Sequence, residues 1–201
     1  MRYSTPLRLD PIRRRYAINP HRYTTFNSKL QYQLVYHAWC RLEQSGIYWA
    51  SISGKEAGAK LASEPIGTFL IRDSADRRHF FTLSIKTSSG IKNVRVDCDN
   101  HAFFLQTDPE SQRTAPRFDC VLKLVHFYMN YTDNAKEQRS CYIFSEGQKV
   151  PLELRKPYAC STSSLQHLCR KTVNGHMDIL AKRDGLPQPL RDFMQEYDAP
   201  I

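Results

Sequence analysis

Apolar residues first fall into a helical rhythm at Tyr32, Val35, Ala38, Trp39 and Leu42, the spacing of one helix face. Asn27 or Ser28 offers a capping oxygen and Ser45-Gly46 a stop, which predicts a helix over 28–45. Phe26 precedes it in a polar context, either stapled onto the helix or exposed as an anchor for a partner. A short helix begins at Ser53-Gly54-Lys55-Glu56-Ala57 and ends near Pro65. The rhythm then changes to alternation. Residues 67–73 read as a strand, with Phe69 and Ile71 on one face and Leu70 and Arg72 on the other. A second strand follows over 80–86, then a turn at Ser88-Ser89-Gly90. A third over 93–97 puts Val94 and Val96 inward and Arg95 on the opposite face, and 101–106 reads as a fourth. Asp119 is placed to cap a helix over 119–130 with Val121, Leu122, Leu124, Val125 and Tyr128 on its apolar face. Residues 130–140 are polar and read as a loop, and 142–144 and 150–152 as short edge segments.

After Pro157 come three short amphipathic segments. Ser163-Ser164 caps the first, with Leu165, Leu168, Cys169 and Thr172 on one face before Asn174-Gly175 stops it. The second covers 177–183. The third carries Leu190, Phe193, Met194 and Tyr197. Such short helices bury little area alone, so their apolar stripe needs the main domain or a partner. Helix, antiparallel meander, helix and helical appendage together define an α+β fold.

Composition narrows the class. The chain has 201 residues, 41% of them hydrophobic and 24% charged, the balance of a soluble globular protein. No apolar run is long enough to span a bilayer, and the start of the chain lacks a signal-peptide core. Six scattered cysteines without a CxxC pair point to reduced cytosolic thiols and away from zinc. The net charge is +9, and residues 1–22 hold six arginines against Asp10 alone. This arm reads as a nucleic-acid or anionic-membrane arm or as a solvated one. The absence of an aromatic-basic motif after it favours the solvated reading.

The chemistry centres on Arg72. An arginine at the end of an apolar strand is partly desolvated and needs an anionic partner. It is either a structural ion pair, the commoner case, or a fork kept for a dianionic ligand such as phosphate. Arg95 makes the second reading competitive, with Ser74 placed to cup an anion and Lys55 or Arg78 as further cations. Catalytic readings fare badly. There is no Gly-rich phosphate loop and no His-Glu-x-x-His among the seven histidines. Cys169 lacks the arginine of a cysteinyl-phosphatase loop, where this chain has Gly175. Asp97, Asp99 and His101 read as a polar turn before a metal site.

GTFLIRDS at 67–74, HFFTLSIK at 79–86 and KNVRV at 92–96 resemble the Src-homology-2 (SH2) phosphotyrosine-binding domain, over residues 47–155. SSLQHLCRKTVNGH at 163–176 with LPQP at 186–189 resembles the SOCS box, at residues 160–201, and the two together resemble the suppressor-of-cytokine-signalling family. The resemblance implies an SH2 domain, a central antiparallel sheet flanked by helices, with an N-terminal extension helix at 28–45 and a C-terminal three-helix box. Residues 1–21 are left as a flexible basic arm. It assigns Arg72, Ser74 and Arg95 to receptor phosphotyrosine. TTFNSKLQYQLV implies a Janus-kinase inhibitory region at 22–32, with Tyr23, Thr25 and Phe26 as its site. Leu165 and Cys169 match positions that dock into the elongin B/C pair, and Leu186, Pro187 and Pro189 match the contact with a cullin-five ligase.

The implied protein is a cytoplasmic, non-enzymatic negative regulator of JAK-STAT signalling. It needs no cofactor or metal, neither binds nucleic acid nor inserts into membranes, and serves a ubiquitin ligase as its substrate-recognition subunit. The alternative is a ligase substrate receptor without direct kinase inhibition. Gly54, beside Lys55, stands where the SH2 pattern has a basic residue, and Asn93 where its third strand has a histidine. Whether Lys55, Arg78 or Asn93 touches phosphate stays open at this point.

Overall fold

The computed structural model describes residues 26–105, 115–133, 142–145, 148–175 and 185–195. The expected basic arm, Tyr23 and Thr25, the segment 177–183 and Tyr197 lie outside the described residues.

Helix α1 (Lys29–Ser45) starts at Ser28, whose hydroxyl accepts the Gln31 N–H, and ends at Gly46 with φ 74°. Glycine is required at 46 twice over. The backbone is left-handed there, and an added Cβ would meet the Ser161 carbonyl at 2.8 Å. The buried stripe is Gln31, Val35, Ala38, Leu42 and Ser45. This corrects the expected stripe by about one residue at its start: Tyr32 is exposed, and Gln31 turns inward. The inward glutamine is tolerated because its side-chain amide donates to the Cys98 carbonyl at 3.0 Å.

Helix α2 (Gly54–Leu61) is followed by β1 (Thr68–Asp73), β2 (Phe81–Thr87), β3 (Gly90–Cys98) and β4 (Phe103–Leu105). Helix α3 (Val121–Asp133) comes next, then β5 (Tyr142–Ser145), β6 (Gln148–Pro151) and β7 (Lys156–Pro157). Helices α4 (Leu165–Gly175) and α5 (Gln188–Gln195) close the described chain. The main sheet has the order β4-β3-β2-β1-β7, and β5 and β6 form a separate hairpin. The expected meander is present as four antiparallel strands. The fifth, β7, runs parallel to β1 and escapes the alternation pattern, being two residues long with Pro157 as one of them.

Helix α3 starts two residues later than expected. Asp119 holds Lys123 at 3.0 Å, and the Leu124 N–H donates to the Cys120 carbonyl. On one face of the sheet Phe69, Ile71, Leu83, Ile85, Val94 and Val96 pack with Val35, Ala38 and Leu42 of α1 and with the apolar side of α3. On the other face Leu70 packs with Ala57 and Leu61 of α2. Each fully buried Leu or Phe stabilises this arrangement by roughly 1.5–3 kcal/mol. The face division expected for β1 therefore holds, and it places Arg72 beneath α2.

Candidate functional site

Arg72 is 4% exposed. Its Nε donates to Ser84 Oγ at 3.1 Å, one terminal nitrogen to the Asp73 carbonyl at 3.0 Å, and the other to Asn93 Oδ1 at 3.1 Å. Ser84 Oγ also donates to Asn93 Oδ1 at 2.7 Å. These bonds fix the plane of the guanidinium and leave the second N–H of each terminal nitrogen for another acceptor. Among the described residues no carboxylate lies within ion-pair distance of Arg72. Burial pushes its pKa down from the ordinary arginine range, and the charge of Asp73 partly restores it.

Register explains why the basic residues meet. Arg72 lies opposite Thr82, and Thr82 opposite Arg95. Directly opposed residues share a face, so the two arginines stand on the side of α2, on strands separated by β2. The next row is Leu70, Ser84 and Asn93, which supplies the acceptors that hold Arg72. Helix α2 points its first turn at this place. Ser53 and Glu56 form a reciprocal cap at 2.7 and 3.1 Å, which also holds the Glu56 carboxyl below its usual range. A Cβ on Gly54 would lie 3.3 Å from an Arg72 terminal nitrogen. Glycine thus lets the helix come close where the SH2 pattern has a basic side chain. Lys55 beside it is exposed.

The loop after β1 adds further polar groups beside Arg95. Ser74 is buried, and its hydroxyl accepts the Asp76 N–H at 3.2 Å. Asp76 takes the Arg78 guanidinium through both carboxylate oxygens, at 3.1 and 2.8 Å. It also lies 3.6 Å from Arg95 and 3.8 Å from His79. His79 in turn faces Asp97 at 2.7 Å. Hydrogen bonds from the Arg78 side chain, then from its backbone, hold the Asp76 carboxyl well below the usual range. Asp99 accepts the His101 and Ala102 N–H groups at 2.8 Å each and pairs with Arg117. Both acids of the Asp97-Asp99-His101 group are thus engaged within the protein.

The expected residues Arg72, Ser74 and Arg95 are brought together. Ser84 and Asp76 were missed. Ser84 was findable: Thr82 and Ser84 are the polar alternates of β2, on the face that register assigns to Arg72.

Phe26, just ahead of α1, is partly buried. Its ring stacks on Phe80 with centroids 5.2 Å apart and meets Tyr32 edge-on at 5.1 Å. The C-terminal helices present a second surface. Ser164 caps α4 through the His167 N–H at 3.1 Å. His167 and Arg170 are buried, and the Arg170 guanidinium lies over the Phe193 ring at 3.8 Å and reaches Gln44 of α1 at 3.1 Å. The opposite side stays uncovered, with Leu165 76% exposed and Leu168 and Cys169 also exposed. Leu186 is half-buried, and Pro187 and Pro189 are exposed at the start of α5. Among the described residues no helix is long and apolar enough to cross a membrane.

The sheet, the helices on its two faces and the buried strand arginine define an SH2 domain, and the SH2 family model matches residues 47–128. The chain is 52% identical to Suppressor of cytokine signaling 3 of Gallus gallus, an alignment covering 90% of each. It is 48% identical to the Homo sapiens protein of that name over 90% of this chain and 91% of the relative. It is 37% identical to human Suppressor of cytokine signaling 2 over 78% and 77%. The chain belongs to the suppressor of cytokine signalling family.

Proposed function

We propose that this protein is a cytoplasmic negative regulator of cytokine signalling that captures phosphotyrosine at Arg72, Ser74 and Arg95. One observation carries the reading: a buried, hydrogen-bonded guanidinium without a carboxylate partner among the described residues, with a second arginine in the same row across β2. Burying a cation without a counter-ion costs several kcal/mol, which an incoming anion recovers. A phosphate monoester brings about −1.5 to −2 charges and three acceptor oxygens. Each charge-assisted hydrogen bond is worth roughly 1.5–3 kcal/mol. A tyrosine hydroxyl brings neither the charge nor the oxygens. Ser84 and Asn93 orient Arg72 so that its remaining N–H groups point to the ligand.

Around this capture point the other surfaces take their roles. Phe26, with Tyr23 and Thr25 of the 22–32 segment, addresses a Janus kinase. The exposed face of α4, with Leu165 and Cys169, docks the elongin B/C pair. Leu186, Pro187 and Pro189 meet a cullin-five ligase. Family membership and the uncovered apolar face of α4 support this division. The chain acts as an adaptor, without a catalytic residue of its own.

The partly buried position of Phe26 favours a second reading, a ligase substrate receptor without direct kinase inhibition. Titrating the chain with one receptor-derived peptide, phosphorylated and not, tests the capture claim. Saturable binding of the phosphorylated form alone is expected, and equal binding of both overturns it. A Janus-kinase assay with the parent and Phe26→Ala separates the two readings: inhibition by the parent that the variant loses supports the first, and no inhibition by the parent favours the second.

A further inference from the structure

Ile66 is 49% exposed and Tyr142 39%, and neither belongs to the phosphate pocket, the Phe26 segment or the C-terminal helices. Ile66 lines a cleft of about 470 Å³ whose walls include Pro65, Lys86, Pro151, Glu153 and Arg155. Tyr142 lies directly opposite Pro151 in the β5–β6 hairpin, on the same face. Register sets the distance of the cleft from Arg72. Arg72 lies opposite Thr82, whereas the Gly67 N–H meets the Lys86 carbonyl at 2.8 Å. Thr82 and Lys86 are separated by roughly 13 Å of extended β2.

The walls are fixed by the backbone. The Thr68 N–H donates to the Pro65 carbonyl at 3.1 Å and Gly67 has φ 89°, so Ile66 sits at the outer corner of a tight turn. Gly67 also makes room for Arg155, since an added Cβ would lie 2.6 Å from Arg155 Cγ. Across the cleft, Ile143, Val150 and Leu152 are buried in the core, which leaves Tyr142 and Pro151 on the outward face of the hairpin. The charges beside these apolar walls are unequal. The Arg155 side chain is 61% exposed and meets Glu153 at 3.1 Å through one terminal nitrogen. Lys86 Nζ donates to the Ala62 carbonyl at 2.9 Å, and no carboxylate lies within ion-pair distance of it among the described residues. Two cations thus face one acid.

We propose that this cleft is a second docking site, for an unphosphorylated polypeptide segment that carries an aliphatic or aromatic residue beside Asp or Glu. The apolar residue enters between Ile66 and Pro151, and its acidic neighbour meets Lys86 and Arg155. The exposure of the walls favours a polypeptide over a small molecule. A small ligand needs a site that buries most of its surface, whereas a segment buries one side chain here and rests the remainder on Tyr142. Charge complementarity selects the acidic partner. The site lies outside the phosphate pocket, and its reading is independent of that of Arg72.

The test selects short peptides from a randomised, unphosphorylated library on the full chain and, in parallel, on Ile66→Ser/Arg155→Glu and on Lys86→Glu. Ile66 and Arg155 are exposed and Lys86 lies at the surface, so the variants keep a cooperative melting transition. The parent enriches sequences with Ile, Leu, Phe or Tyr next to Asp or Glu. A synthetic peptide of the enriched sequence loses about tenfold or more in affinity on each variant, the size of one apolar anchor or of a reversed surface charge. Equal enrichment on parent and variants, or enrichment of basic or uncharged sequences, overturns the proposal. Self-association in sedimentation, or flotation with phosphatidylserine vesicles, that the variants lose gives the cleft to a second copy or to a lipid surface and overturns it too.

Discussion

The ring of Phe26 lies on that of Phe80, with centroids 5.2 Å apart and planes 15° from parallel. Phe80 follows the loop that carries Asp76, Arg78 and His79, and its carbonyl accepts the Ser74 N–H at 3.1 Å. The residue proposed to address a kinase and the loop proposed to hold phosphate therefore share one ring contact. Ser28, bonded to Asn100 at 2.7 Å, and Gln31, bonded to Cys98, fix the start of α1 to the end of β3 beside them.

Phe26→Ala has two expected effects. Losing a stacked, partly buried ring lowers the unfolding free energy by about 1–2 kcal/mol, measured by urea denaturation. Janus-kinase inhibition falls sharply at protein concentrations where the variant is still folded. A stability loss with full inhibition would confine Phe26 to packing.

Gly54→Val separates binding from folding. The added atoms press on Arg72 and leave the core untouched, since the Cβ alone comes within 3.3 Å of the guanidinium. Phosphopeptide affinity falls by about tenfold, the equivalent of one weakened charge-assisted hydrogen bond, with the melting temperature nearly unchanged. Unaltered affinity contradicts the placement of Arg72 at the binding surface.

Much of this was legible in the sequence, for a specific reason. Alternation in β1 and β3 forces Arg72 and Arg95 away from the core, since Phe69, Ile71, Val94 and Val96 claim the other face. What was not legible depends on register and on polar bonds. The inward turn of Gln31 needs the Cys98 carbonyl, which lies far along the chain. The Ser84–Asn93 bond that holds Arg72 exists because β2 and β3 pair in one register. The pairing of Asp76 with Arg95 needs a loop conformation that hydrophobic periodicity does not encode. β7 has too few residues to carry a pattern.

Glu43 on α1 gives the fold a pH dependence. Burial first, and then the charge of Asp73, push its pKa from 4.5 up to about 7. Between those values the unfolded chain has lost the proton that the folded chain keeps. The contribution of Glu43 to stability is therefore fully present below the unfolded value and lost as pH rises through the folded one. Partial exposure screens the effect and keeps it small. Denaturation midpoints measured from pH 5 to 8 should fall more in the parent than in Glu43→Gln. Parallel curves would remove Glu43 as the cause.

Leu165→Ala should leave the isolated chain unchanged within about 0.5 kcal/mol, because an exposed leucine contributes little to the fold. Pull-down of purified elongin B/C should be lost. Retained capture would place the docking face elsewhere.

Arg72→Lys tests the central claim most directly. Lysine keeps the positive charge but cannot make the planar fork that Ser84, Asn93 and Asp73 now hold. Calorimetry with a phosphotyrosine peptide should show most of the affinity gone, roughly a hundredfold for two lost charge-assisted bonds, in a chain whose melting transition remains cooperative. Equal affinity in parent and variant would contradict phosphate capture by Arg72.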